Sequence, residues 1–249
     1  MLRESSKKIV ITYLLFCIVF TVVVISLIFI SNYLMVKSVS FDKPAVSGSK
    51  DLPTVIIDAG HGGEDGGTIG KNGIYEKDLN LIIANDISDM LTASGIEVIM
   101  TRSEDILLYD RNVDFKGRKK MLDLAARLKI ANETENAVFI SIHMNAFPQE
   151  KYSGLQVYYS KNTMLSEELA LSIQESVKKA LQPHNERRIK EADDNIYLLD
   201  RCNNPSVLVE CGFLSNPAEC ESLSSEEYQK ELSLAIFEGI YTYIMEINS

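Results

Sequence analysis

An α/β domain, with its sheet covered by helices on both faces, is the fold class that this sequence predicts. Two observations carry the prediction. Short apolar runs of strand length, at 54–58, 96–100, 137–142, 155–159 and 206–210, alternate with longer stretches whose apolar residues recur at helical spacing. The length of 249 residues also gives room for one substantial domain plus extras, without requiring a second.

The N-terminus stands apart from that pattern. Ile9 to Ile30 is a run of 22 residues without a charge. As a helix it would measure roughly 33 Å, against a hydrocarbon core of about 30 Å. Arg3, Lys7 and Lys8 precede it, so the positive-inside rule leaves residues 1–8 in the cytoplasm and exports the rest. Residues 9–36 are therefore read as a transmembrane anchor. A cleaved signal peptide is the competing reading, with Ser38 and Ser40 as small residues at a cleavage site. Signal cores usually run only about 7–15 residues, which favours the uncleaved anchor. Residues 37–52, polar with Pro, Gly and Ser, read as a linker, and 53–249 as the exported domain.

Within that domain the first strand, Thr54-Val55-Ile56-Ile57-Asp58, runs into the glycine-rich Gly60-His61-Gly62-Gly63. From Tyr75 the residues Leu79, Ile82, Ile83, Ile87, Met90 and Leu91 predict a helix ended by Gly95. Strands follow at 96–100, 137–142 and 155–159, then a helix over 164–181 that closes before Pro183. Residues 195–200 are expected to form a short strand and 206–210 a clear one. Asn216-Pro217 is a helix start, with Asn as cap and Pro at the first helical position. Ser224 and Glu227 fit a capping box for the last helix, which carries Leu232, Ile236, Ile240 and Ile244 on one face.

Charge excludes one function class. The first 50 residues carry a net +4 and the whole chain −10, which leaves −14 on the body. Phosphate backbones need Lys and Arg, so no nucleic acid is expected as partner. Cys17 lies in the apolar run, and Cys202, Cys211 and Cys220 show no zinc-knuckle spacing; one disulfide among them or none stays open, with semi-buried thiols the plain reading.

The chemistry rests on few residues. Of three histidines, His61 and His143 each follow an apolar strand, where ligands gather in open α/β sheets. His184 sits in Gln-Pro-His-Asn and reads as surface. Glu210 closes a third such strand, and Glu76 begins the first helix. Two imidazoles and one carboxylate form an established zinc set with one open position, and the fourth group can then serve as general base and acid. Each residue also has an ordinary reading: a satisfied loop histidine, a tight glycine turn, an acid favoured by a helix N-terminus. Glu210 resists it most, because a carboxylate after Val207-Leu208-Val209 risks burial, which is costly without a partner or a role. No Gly-Lys-Ser/Thr follows the glycines, so they are not a phosphate loop.

Four segments in order resemble the zinc-dependent N-acetylmuramoyl-L-alanine amidases of the type 3 family. They are Ile57-Asp58-Ala59-Gly60-His61-Gly62-Gly63, Glu76-Lys77-Asp78-Leu79-Asn80, Ser141-Ile142-His143-Met144-Asn145-Ala146, and Glu210-Cys211-Gly212-Phe213-Leu214-Ser215-Asn216. Thr101-Arg102, Arg127, Ala131-Asn132 and the run 154–159 support them, and the resemblance covers about 53–246. It implies a single domain with a mixed sheet of about six strands. It also implies Zn2+ held by His61, Glu76 and His143, Glu210 as catalytic acid/base, and Asn145 against substrate. The implied reaction is hydrolysis of the amide between N-acetylmuramic acid and L-alanine in peptidoglycan.

Residues 103–121 depart from the family pattern in length and charge, and an activator protein docking there is one expectation. A lone domain on a membrane anchor, with no wall-binding repeat in view, is most similar to the members that process spore-cortex peptidoglycan on the way to muramic-δ-lactam. Two alternatives stay open: a peptidoglycan-binding module without turnover, and a zinc peptidase cutting within stem peptides.

Overall fold

The computed structural model describes Thr21, residues 52–110, Asn112 and residues 116–249. The segment read as an anchor lies, apart from Thr21, outside the described residues. Among the described residues no helix is long and apolar enough to cross a membrane.

Six strands build one sheet: β1 (Thr54–Ala59), β2 (Val98–Met100), β3 (Ala137–Asn145), β4 (Gln156–Tyr159), β5 (Lys190–Glu191) and β6 (Ser206–Phe213), in the order β2-β1-β3-β6-β4-β5. The first four in that order run parallel, and β4 turns back antiparallel on β6. The sheet is therefore mixed, as the resemblance implied.

Period-two alternation explains how both faces are filled. Val55 and Ile57 of β1, with Ile140 and Val207, point to one side. There they meet Leu79, Ile83 and Ile87 of α1 (Glu76–Ala93), Ile173 of α3 (Met164–Ala180) and Ile236 and Ile240 of α6 (Glu226–Ile247). Ile56 and Phe139 point to the other, against Ala131 of α2 (Lys119–Glu133) and Leu199 of α4 (Tyr197–Arg201). Helix α1 stops where Gly95 adopts φ +82°, a conformation that glycine enters without strain. Ile82, counted with its apolar stripe, is 40 % exposed and belongs to the outer face. The predicted cap of α5 (Pro217–Leu223) is present: Asn216 Oδ1 accepts from the Ala218 and Glu219 amides at 3.0 and 3.2 Å.

Three expectations need correction. Residues 195–200 do not form a strand. Asn162 and Ser160 donate to the carbonyls of Leu199, Asp200 and Cys202, which caps α4 and fixes a helical turn there. The sheet edge is supplied instead by Lys190–Glu191. The capping box at Ser224 is also absent, because its hydroxyl donates to Cys220 O at 2.6 Å and closes α5, while α6 starts after Ser225 without a side-chain cap. Finally, His143 and Glu210 lie within β3 and β6 rather than beyond them, and face each other in register.

Candidate active site

His61 is held by its own backbone. It adopts φ +61°, an uncommon left-handed conformation for a side chain other than glycine, and the surroundings must over-determine it. The carbonyls of Ala59, Gly60 and His61 are each seized from behind. Arg127 donates to Ala59 O at 2.8 Å and His61 O at 2.7 Å. Arg102 donates to Ala59 O and Gly60 O at 2.8 and 3.0 Å, and Asn80 adds a bond to Gly60 O at 3.1 Å.

Arg127 is anchored in turn by Asp58 at 2.7 Å and Asp123 at 2.8 Å, all three buried. Asp58 also accepts from Thr101 and Ser141 at 2.7 and 2.6 Å. Burial alone would raise the Asp58 carboxyl, but Arg127 and these hydroxyls carry it below the usual range. Gly60 has a separate duty: a Cβ there would stand 2.2 Å from the His143 ring, so the ring packs on bare backbone.

Glu76, the first residue of α1, brings the two imidazoles together. Its Oε1 lies 3.2 Å from His61 Nε2 and 2.9 Å from His143 Nδ1. The Met144 and Thr68 amides donate to the same carboxylate at 3.1 and 2.8 Å. The two rings stand edge to face with centroids 4.9 Å apart, and one ligand atom from each of His61, Glu76 and His143 lies within 4.8 Å of the others. Burial pushes Glu76 up, yet the hydrogen bonds and charges of His143 and His61 outweigh it, leaving the carboxyl far below its ordinary value. Burial opposes charge on His61 too, but Glu76 and Asp65 raise its pKa overall. Asp65 Oδ2 is 3.0 Å from His61 Nδ1, an orienting carboxylate that the sequence did not reveal, since an acid in a glycine-rich loop gives no signal. Two imidazoles and a carboxylate at this spacing suit zinc, whose binding would displace the ring protons.

Glu210 sits one strand from His143 and is treated quite differently from Glu76. Among the described residues its Oε2 is buried with no hydrogen-bond partner. Burial pushes its pKa up to about 7; the imidazoles and Arg187 oppose that rise and Glu76 adds to it. His61, Asp65, Glu76, His143, Asn145 and Glu210 line one open cleft of about 440 Å3. All five residues singled out from the sequence thus meet in one place. His184 is exposed and lies on a different hollow, as expected of a surface residue. Cys202, Cys211 and Cys220 are buried free thiols.

The described part of 103–121 braces the glycine loop. Asp105 accepts from the Gly63 amide and from Lys77, both at 2.6 Å, and Leu108 N donates to Asp123 at 2.7 Å. Leu107 is buried beneath it.

Comparison with known proteins identifies the family of this fold. A family model described as N-acetylmuramoyl-L-alanine amidase matches residues 55–242. The germination-specific N-acetylmuramoyl-L-alanine amidase of Bacillus subtilis is 38% identical over 192 residues, covering 77% of this chain and 80% of that protein. The CwlD amidase of Clostridioides difficile, solved in complex with the GerS lipoprotein, superposes with TM-score 0.73 at 43% identity, over 78% of this chain and 99% of that one. A second amidase structure, from Clostridium difficile 630, gives TM-score 0.68 at 32% identity, over 79% and 98% of the two chains.

Proposed function

The chain belongs to the type 3 family of N-acetylmuramoyl-L-alanine amidases, hydrolases of peptidoglycan, and from that premise we propose that His61, Glu76 and His143 hold a zinc ion beside Glu210 as catalytic acid and base. The observation that carries the assignment is the bare Oε2 of Glu210, buried one strand from His143 and lining the same cleft as all three ligands. When bound, zinc supplies a Lewis acid that polarises the amide carbonyl and acidifies water.

The residues of the chain do the rest. Glu210, which burial holds above the usual carboxylate range in the zinc-free protein, is poised to take a proton from the attacking water and to return it to the departing L-alanine amine. Asp65 orients the His61 ring, and Glu76 is pinned by two backbone amides so that it meets the cation in one rotamer. Asn145, at the end of β3, lines the cleft and meets the substrate beside His143.

The setting is proposed on the sequence and on the relatives. Residues 9–36 anchor the enzyme with its catalytic domain outside the cytoplasm, and the likeness to a germination-specific amidase supports a role in spore-cortex maturation toward muramic-δ-lactam. The CwlD complex with a lipoprotein supports a partner protein for this chain. Residues 103–121 are its proposed docking segment: Asp105 braces the glycine loop, while Ser103 and Glu104 stand exposed.

The deciding experiment is mass spectrometry of peptidoglycan digested with the zinc-loaded enzyme. Free stem peptides beginning at L-alanine are expected. Peptides that begin further along the stem would make the enzyme a peptidase and overturn the reading. For the anchor, the full chain should stay with membranes through high-salt washing, whereas a chain beginning near Lys50 should be soluble; a mature N-terminus near residue 41 would replace the anchor with a signal peptide.

A further inference from the structure

A row of side chains leads away from Glu210. Glu210 is paired in register with His143 on one side and, antiparallel, with Gln156 of β4 on the other. Directly paired residues share a face of a sheet, so His143, Glu210 and Gln156 line up across three neighbouring strands. The side-chain amide oxygen of Gln156, Oε1, accepts from the guanidinium of Arg187. That guanidinium also lies 4.9 Å over the ring of Phe213, the last residue of β6.

Arg187 is built in, yet under-used. Its backbone is fixed: its amide donates to Asn185 Oδ1 at 2.9 Å, and its carbonyl accepts from Gln174 at 3.4 Å. Asn185 is itself tied to Leu155 O at 2.8 Å. Among the described residues Arg187 forms no salt bridge, and its Nε is buried with no hydrogen-bond partner. Glu210 and Glu219 feel its charge without pairing with it, so a buried donor on a fixed cation is left for an incoming anion.

The mechanism says which half of the substrate arrives there. Glu210 must hand its proton to the departing amine, so the peptide half lies on the Glu210 side of the scissile bond. Continuing past Glu210, away from His143, the next groups are Gln156 and Arg187. We infer that Arg187, steadied by Gln156 and Phe213, is a specificity residue that binds a carboxylate of the stem peptide one residue beyond L-alanine. This rests on the amidase reading of the catalytic cleft; Arg187 itself lines the other hollow, with His184, and is linked toward Glu210 through Gln156.

Two soluble substrates test it: N-acetylmuramoyl-L-alanine extended by a γ-linked D-glutamate, and the same molecule with the glutamate α-carboxylate amidated. Charged hydrogen bonds of this kind are worth about tenfold to a hundredfold, so the wild-type enzyme should favour the free acid by at least about tenfold in kcat/KM, chiefly through KM. Arg187→Gln should bring the two substrates close to parity, and Arg187→Lys should keep part of the preference, with zinc content and melting temperature reporting the fold. Equal turnover of both substrates by wild type overturns the assignment while leaving the amidase reading intact, whereas cleavage of neither would count against that reading itself. A Gln variant that keeps the preference, or that loses equally on both substrates, also overturns it. The latter would mean that Arg187 serves the sugar half or Glu210 rather than the peptide.

Discussion

Asp58 and Glu210 are both carboxylates on central strands of one sheet, and the protein treats them in opposite ways. Asp58 is fully buried and over-supplied, with Arg127, Thr101 and Ser141 all donating to it, and its pKa is driven down. Glu210 is half-buried at the cleft, with one enclosed oxygen left bare, and its pKa is driven up to about 7. A buried ion is tolerable only when paired, and a catalytic base is useful only when it is not. Asp58 therefore belongs to the frame that holds the strained His61 turn, and Glu210, in the mechanism proposed, to the chemistry in front of it. Glu76 falls between the two, with donors on both oxygens and two imidazoles that a metal would share.

The sharpest break in that comparison comes from the metal ligands. His143→Ala removes one of three protein donors, so zinc retention should collapse and turnover fall below detection, measured as zinc per chain and release of L-alanine-terminated peptide. Retention of one zinc per chain would show that the ligand set is wrong. Next in size is Glu210→Gln, which keeps shape but cannot accept a proton. General acid–base groups contribute about 10^2–10^4-fold, and this one acts twice, so kcat should drop toward the upper end while zinc content stays at one per chain. A Gln variant of normal activity would end the assignment, and one that loses its zinc would make Glu210 a ligand instead.

Arg127→Met carries the comparison to the frame. Removing one partner of a buried ion pair typically costs about 3–5 kcal/mol, because Asp58 and Asp123 would be left uncompensated. The urea midpoint should fall accordingly, with activity per folded molecule lost as the His61 turn relaxes. A midpoint within experimental scatter of wild type would mean that Asp58 is not the paired, structural carboxylate described above.

How far the sequence revealed this division follows from the same physics. The strands were legible because β1, β3 and β6 are apolar on both faces, and the candidate His/Glu cluster because His and Glu at strand ends are few in this chain. Helix α2 was missed because its buried stripe is Asp123, Arg127 and Ala131, spaced for a helix but built on an ion pair instead of hydrophobes. The segment 195–200 misled because Leu198-Leu199 is equally at home in a strand, and Ser160 and Asn162, 39 and 37 residues upstream of Leu199, decide otherwise. Asp65 and Arg187 were invisible for a similar reason: each sits in a polar run, and only the folded chain shows what it faces.

The smallest effect, and the one that tests the contrast most directly, is the pH dependence of stability in the zinc-free protein. Glu210 has its folded pKa raised from 4.5 to about 7, so between those values the native state holds a proton that the unfolded chain has released. Stability must then fall as pH rises through that window, by the sign of the linkage relation. Glu76 and Asp58, both depressed, act the other way: their contribution is present above the unfolded carboxylate range and is lost on acidification. His61, raised, gives stability at low pH that fades as pH climbs through its folded pKa. Subtracting the melting curve of Glu210→Gln from that of wild type leaves the Glu210 part, provided the variant does not move the other three. The difference should be flat below about pH 4.5, should turn against wild type between about pH 4.5 and 7, and should level off above, where wild type carries a buried charge that Gln does not. A difference that runs in the opposite sense, with wild type gaining on the variant as pH rises, would mean that Glu210 is stabilised as an anion like Asp58 and would erase the contrast between them.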